Sequence, residues 1–358
     1  MNAAAPMSSA VPLTDAPPLR RASRWSSLLP LAWPLCAWAA LLLFNALFTP
    51  GFFKVAYADG RLYGSVIDIL NRGAPVLLLS LGMTLVIGTG GIDLSVGAVM
   101  ALSGATAACL MSPPDGSPFV GAHVESVFVL IVAGLLIALI AGIWNGVLVA
   151  FLRLQPIVAT LILMVAGRGA AQLLTNGQIP TFENPRFAFL GGGAVGGLPM
   201  PFVIAAAATV VMLVLVRGTA VGLFVEAVGN NRVAARIAGV NASVIRLMCY
   251  AASAIFAGVA GLVATADIKA ADINNIGLNL ELDAILAVAI GGTSLAGGRF
   301  SLIGSVIGAM VIQTLTTTIL ARGYQPETTL VIKAIVVVSL CLIQSEKFRK
   351  MILRRRAA

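Results

Sequence analysis

The stretch Glu125-Ser-Val-Phe-Val-Leu-Ile-Val-Ala-Gly-Leu-Leu-Ile-Ala-Leu-Ile-Ala-Gly-Ile-Trp-Asn-Gly-Val-Leu-Val-Ala-Phe151 decides the fold, because no charged side chain falls between Ser126 and Phe151. A helix crossing a hydrocarbon core of about 30 Å needs about 20 mostly apolar residues, and this run exceeds that. The pattern recurs. Apolar segments lie at 30–48, 71–90, 94–111, 125–151, 156–174, 200–217, 244–266, 281–291, 300–320 and 330–345. They predict an all-α polytopic membrane protein with about ten transmembrane helices. The eighth segment is too short to span alone. It either borrows from its flanks or forms a broken or re-entrant helix, which lipid tolerates only where protein or a polar cavity covers the freed backbone groups.

Composition agrees: 59% of the 358 residues are hydrophobic and 10% charged, against about 25% charged in soluble domains. Residues 1–28 read as a disordered cytoplasmic tail, since Pro12, Pro17, Pro18, Arg20, Arg21 and Arg24 interrupt any apolar core that a signal peptide would need. The membrane domain is expected over 29–346, with a basic cytoplasmic tail at 347–358. Cys36, Cys109, Cys249 and Cys341 stand singly, and His123 is the sole histidine. A structural zinc site or a disulfide framework is therefore not expected. The formal charge of +9 resides in short segments between apolar spans, which argues for membrane lipid and against nucleic acid as its partner.

An even number of spans places both termini on one side. On that side fall Arg20, Arg21 and Arg24; Arg153; Arg217, Arg232, Arg236 and Arg246; Arg299; and six Lys/Arg from Lys347 to Arg356, fifteen of the 23 basic residues. The positive-inside rule makes it the cytoplasmic side. Residues 218–243 are then the longest cytoplasmic connection.

Two stretches echo one another: Gly91-Ile-Asp-Leu-Ser-Val-Gly-Ala-Val-Met-Ala101 and Gly277-Leu-Asn-Leu-Glu-Leu-Asp-Ala-Ile-Leu-Ala287. A weaker pair is Gly142-x-x-x-Gly146 with Gln155-Pro156, against Gly304-x-x-x-Gly308 with Gln325-Pro326. Each pair has one copy facing each side, as an inverted structural repeat would. Chance likeness within the small vocabulary of membrane helices is the alternative, and the Gly-x-x-x-Gly pairs read most simply as helix-packing faces.

Ionisable groups within spans cost about 2.5–3.5 kcal/mol at the helix centre, so they face a bundle interior or a cavity. Asp93 and Ser95 read either as a polar hinge on the translocation path or as a helix N-cap. Glu281 and Asp283 either cap the eighth segment or meet solute. Asn145, Gln155, Asn274 and Asn275 carry amides suited to sugar hydroxyls or to bonds between helices, while Arg168 reads as a brace. The segment Glu226 to Asn241 is too polar to span. It is either a docking element, with Glu226, Arg232 and Arg236 as charged anchors among small residues, or an ordinary solvated loop.

Resemblance favours docking. Glu226, Ala227 and Gly229 resemble the start of the Glu-Ala-Ala loop that importer permeases of the ATP-binding-cassette class present to their ATPase subunits, with Val228 in place of the second alanine. Arg232, Arg236, Gly239 and Asn241 continue that coupling segment. Gly82 to Gly97, Asn145-Gly146, Pro156 to Thr160, Arg168-Gly169 and Gly291 to Gly298 resemble the hallmarks of the ribose-type sugar permeases, over a region from about residue 60 onward. Within that group, Asp59 to Asn71, Ala166 to Gly169 and Leu280 to Ala287 are similar to galactofuranose importer permeases. The resemblance implies a type II importer-like fold, a separate cassette ATPase carrying ATP and Mg, a periplasmic sugar-binding protein and a second permease half, identical or different.

The chain has no Gly-x-x-x-x-Gly-Lys-Ser/Thr phosphate loop, so it is not expected to hydrolyse ATP or to bind a cofactor. A secondary transporter coupled through Asp93 or Asp283 is the competing class. Within the preferred class, a branched-chain amino-acid permease shares the same architecture.

Overall fold

The computed structural model describes residues 29–58, 60–325, 328, 330–335 and 338–339. The two expected tails lie outside these residues, as does half of the tenth apolar segment, of which 330–335 and 338–339 are helical. The helices run α1 (Leu29–Phe48), α2 (Ser65–Gly88), α3 (Val96–Met111), α4 (Val127–Ala150), α5 (Pro156–Leu174), α6 (Pro185–Gly192), α7 (Met200–Gly218), α8 (Val221–Asn230), α9 (Arg232–Ile237), α10 (Ala242–Ile268), α11 (Leu280–Ile290) and α12 (Leu302–Ala321). Two short antiparallel hairpins pair Ala56–Ala58 with Arg61–Tyr63 and Ala194–Val195 with Leu198–Pro199.

Seven of these helices, α1, α2, α4, α5, α7, α10 and α12, are long and apolar enough to cross a membrane. The third apolar segment becomes the shorter α3. The eighth becomes α11, whose eleven residues rise roughly 16 Å, about half of a hydrocarbon core. Protein covers α11: it lies against α12, α2 and α3, with Ala284, Ala287, Val288 and Ile290 buried.

The bundle is built around α2, buried almost continuously from Gly73 to Gly88 by α7, α10, α11 and α12. By contrast, α4 and α7 expose Phe128, Leu136, Ile140, Val210 and Val214. An apolar exterior of this kind suits lipid. Close helix approach depends on missing side chains. A methyl carbon on Gly142 or Gly146 would fall 2.8 Å from the Tyr250 carbonyl oxygen or 3.0 Å from Leu247 Cα of α10, and one on Gly304 or Gly308 would meet the backbone of Gly291 or Ala287. Both Gly-x-x-x-Gly pairs are thus packing faces. The echoed segments also meet, since Gly97 and Gly277 press backbone to backbone. Helix α1 leans on α12 through Trp38 Nε1 donating to Thr314 Oγ1 (3.0 Å) and Asn45 Nδ2 donating to Thr318 Oγ1 (2.7 Å).

Candidate functional site

Between α7 and α10 the chain leaves the bundle to form α8 and α9. Asn231 separates them, and its side chain accepts from the amides of Val233 (2.9 Å) and Ala234 (3.1 Å). This capping lets a six-residue helix begin in a stretch too short to nucleate unaided. Asn241 does the same for α10, accepting from Ser243 and Val244 at 3.2 Å. Of the residues picked out in this segment, Glu226 and Ala227 are half-buried, while Arg232, Arg236, Gly239 and Asn241 are exposed. Leu223, Val233 and Ile237 stand out at 67%, 69% and 84% exposure. Exposed apolar groups among basic ones, on helices of 10 and 6 residues that cannot span a membrane, give this face the makeup of a protein contact.

Gly229 points the other way, into the molecule. A methyl carbon there would run into Gly88 O and Gly298 N and lie 3.0 Å from Gly298 Cα. Those two groups are themselves bonded, Gly298 N donating to Gly88 O at 3.0 Å. Beside them Gly297 closes on Gly90, and Val225 with Phe300 covers Gly88. Three distant segments, the end of α2, α8 and the Gly291–Gly298 loop, therefore touch through main chain. Gly297 and Gly298 have φ of +91° and +88°, a region that side chains oppose. Sequence reasoning marked Gly229 and the Gly291–Gly298 run separately, and no local signal joined them.

The interval between α2 and α3 holds Asp93 and Ser95, both buried. Asp93 Oδ1 accepts from Ser95 N (3.0 Å) and Ser95 Oγ (2.6 Å), and its Oδ2 accepts from Ser253 Oγ of α10 (3.1 Å). Asn145 Nδ2 of α4 donates to Ser95 Oγ at 2.8 Å. From α5, Thr160 Oγ1 accepts from Leu94 N at 3.1 Å. The non-helical turn is thus tied to α10 through the Asp93 carboxylate, to α4 through Ser95 and to α5 through the Leu94 amide, and the carboxylate bonds the turn's own amide rather than acting as the cap of α3, whose N-cap Ser95 makes no side-chain cap bond.

At the opposite end of α2, the loop between α10 and α11 carries Asn274 and Asn275, both exposed. Asn274 Oδ1 accepts from Gln172 Nε2 (3.0 Å), whereas Asn275 Nδ2 donates to Asp272 Oδ2 (2.6 Å). They line two different cavities, one bounded by α5 and the segment following it and the other by α2, α7, α10 and α12. Arg168 braces the loop by donating to the carbonyls of Ile273 and Ile276, so its guanidinium acts on backbone. Glu281 is buried. Asp283 pairs with Lys333 Nζ at 2.9 Å and does not cap α11. Gln155, exposed, precedes Pro156 at the start of α5, apart from the other amides. Among the described residues no cluster of three His, Cys, Asp or Glu could hold a metal.

Residues 65–340 match the family described as branched-chain amino acid transport system / permease component. Over 346 residues, 97% of each chain, the sequence is 49% identical to the galactofuranose transporter permease protein of Escherichia coli strain K12. It is 39% identical over 327 residues to the fructose import permease protein of Bifidobacterium longum, covering 90% of this chain and 89% of that one. Identity to the ribose import permease protein of Escherichia coli strain K12 is 32% over 317 residues, 87% of this chain and 93% of the relative. No solved structure matches.

Proposed function

Because the chain belongs to the family of branched-chain amino acid transport system permease components, we propose that it is the membrane subunit of an ATP-binding-cassette importer that carries a monosaccharide across the bacterial inner membrane. Galactofuranose or a related sugar is the preferred cargo, given the names of the relatives that align along nearly the whole chain. A permease of this kind is a transporter subunit and not itself an enzyme.

The observation that carries the proposal is the α8–α9 unit. It offers Arg232, Arg236, Leu223, Val233 and Ile237 outward while Gly229 seats it on the main chain of Gly88 and Gly298. In this reading a cassette ATPase docks on that face. Closure of two ATPase subunits on ATP and Mg displaces α8, and the displacement passes to the end of α2 and the Gly291–Gly298 loop without first deforming side chains. The cavity then opens to the other side and takes sugar from a periplasmic binding protein. Such switching requires that ATP and sugar each bind the two states unequally.

Arg232 and Arg236 of α9, with Arg217 and Arg246 on the flanking helices, support a cytoplasmic placement of this end and of both termini by the positive-inside rule. Ten traverses arise if α3, α11 and the helix through 330–335 join the seven long helices. The meeting of Gly97 with Gly277, each next to the start of a short helix, supports an inverted repeat about that contact. A second permease half, the same or different, completes the core. Asp93, Ser95 and Asn145 hold the hinge beside the path, while Gln155, Asn274, Asn275 and Asp283 belong to its two ends.

The test is sugar uptake and ATP hydrolysis in proteoliposomes holding this chain, its cassette ATPase and the binding protein, with and without Glu226→Ala. Uptake should need ATP, survive an ionophore that collapses proton and sodium gradients, and fall on substitution while the complex still assembles. Gradient-driven uptake without an ATPase would replace this reading by a secondary transporter.

A further inference from the structure

The cavity at the outer end of α2 has a volume of about 480 Å³, within the range of about 300–1,000 Å³ usual for small-molecule sites. Its walls come from α2, α7, α10, α12 and the loop after α10. Asn71 and Gln313 face it from the two helices that meet at Gly73, where a methyl carbon would lie 3.2 Å from Gln313 Cγ. Thr316 stands one turn further along α12. Pro75, Pro201 and Val263 supply an apolar wall.

Two of these polar groups are underused. Asn71 Oδ1 is buried and has no hydrogen-bond partner. Gln313 is 7% exposed, and its amide reaches Thr317 Oγ1 at 3.4 Å, at the long edge of a hydrogen bond. Buried polar atoms are nearly always paired, so this acceptor lacks a partner, which a turn of the Asn71 amide toward a guest hydroxyl would supply.

Three charged groups, Arg72, Asp267 and Asp272, also line the cavity. Asp272 accepts from Asn275 Nδ2 (2.6 Å) and from Asn274 N (3.2 Å). Arg72 and Asp267 are within electrostatic reach of each other. Amides and a hydroxyl thus stand beside a guanidinium and a carboxylate over an apolar wall, a mixture that suits the many hydroxyls of a sugar ring. An amino acid would use the same two charges, so leucine is the competing guest that the test includes.

We propose that this cavity is a monosaccharide site formed within one chain, in which Asn71 and Gln313 bind ring hydroxyls and Asn275 and Thr316 complete the rim. The site rests on the sugar-importer reading and adds a place where cargo pauses between the binding protein and the hinge at Asp93. Residues 72 and 88 of α2 are separated by about 24 Å along the axis, so the guest sits far from the α8 contact. One rigid, buried helix links the two.

The test uses the complete transporter in membranes, with Cys36 and Cys341 replaced by serine and Ala264→Cys, a small change on the cavity wall, as reporter. Its reaction with a membrane-impermeant maleimide is followed against galactose, fructose, ribose and leucine. At least one sugar that the wild type imports should slow labelling about fivefold or more, and leucine should not. Gln313→Leu or Asn71→Leu, added to the reporter, should raise the sugar concentration for half-protection about tenfold. Should either fail to assemble, Asn275→Ala on the exposed rim carries the same expectation. If an imported sugar gives no protection, or protection is unmoved by these substitutions, the site is refuted while the importer reading stands. Protection by leucine alone overturns the sugar assignment. Failure of the wild type to import any of the three sugars with ATP sinks the importer reading and the site with it.

Discussion

Gly229→Ala is the sharpest perturbation of the coupling geometry. The added methyl meets Gly88 O and Gly298 N, main-chain atoms of two different segments that are bonded to each other at 3.0 Å. Neither can rotate aside as a side chain would, so α8 must back away from the bundle. Overpacking of this kind costs about 1–3 kcal/mol. Because the cost falls on the contact that transmits the ATPase stroke, a coupling loss of the same size corresponds to about 5–150-fold. The assay is sugar imported per ATP hydrolysed in reconstituted complexes, together with the amount of ATPase that copurifies with the chain. We expect the ratio to fall at least fivefold with copurification retained. Gly239→Ala is the control: its φ of +85° makes the substitution strained by about 1–2 kcal/mol, yet its added carbon has no neighbour within contact range. Unchanged coupling in Gly229→Ala, or equal losses in both variants, would refute the argument that α8 acts through its main-chain seat.

The ion pair of Asp283 with Lys333 is mostly shielded, the side chains being 14% and 11% exposed. Lys333→Ala should therefore lower the melting temperature of the detergent-solubilised complex, by an amount that reflects about 3–5 kcal/mol, and the double variant with Asp283→Ala should recover part of the loss. Asn241→Ala removes the two bonds that begin α10; about 1 kcal/mol is expected, seen as faster amide exchange at Ser243 and Val244 with uptake changed less than in Gly229→Ala. Asp93→Leu strips the partners of Ser95 and Ser253 and should destabilise the fold by several kcal/mol, whereas Asp93→Asn, keeping one acceptor, should cost about 1–3 kcal/mol and preserve ATP-driven uptake. Abolished uptake in a well-folded Asp93→Asn protein would instead favour ion coupling at that carboxylate.

Much of the fold was legible because its signals are local. A long apolar run such as 125–151 has few options but a transmembrane helix, whatever its neighbours, since lipid leaves no other way to satisfy its backbone. The Gly-x-x-x-Gly spacing likewise announces a packing face, because residues four apart share one side of a helix. The shortness of the eighth segment showed in its own composition, and the motif beginning at Glu226 carried the family likeness before any geometry was known.

What the sequence by itself determined is therefore the solvent, the class of architecture, the polar connection available for docking, and a short list of buried polar residues. Only the tertiary structure decided what those residues do. Asp93 finds Ser253 across 160 positions, Asp283 finds Lys333, and Gly229 turns inward onto Gly88 and Gly298. Asn274 and Asn275, adjacent in the chain, line different cavities, while Asn71 and Gln313, far apart in the chain, share one. The reason is physical: helix formation in a membrane is set by the composition of each segment, but a hydrogen-bond partner or a cavity wall is set by which helices pack together, and that depends on the shapes of all of them at once.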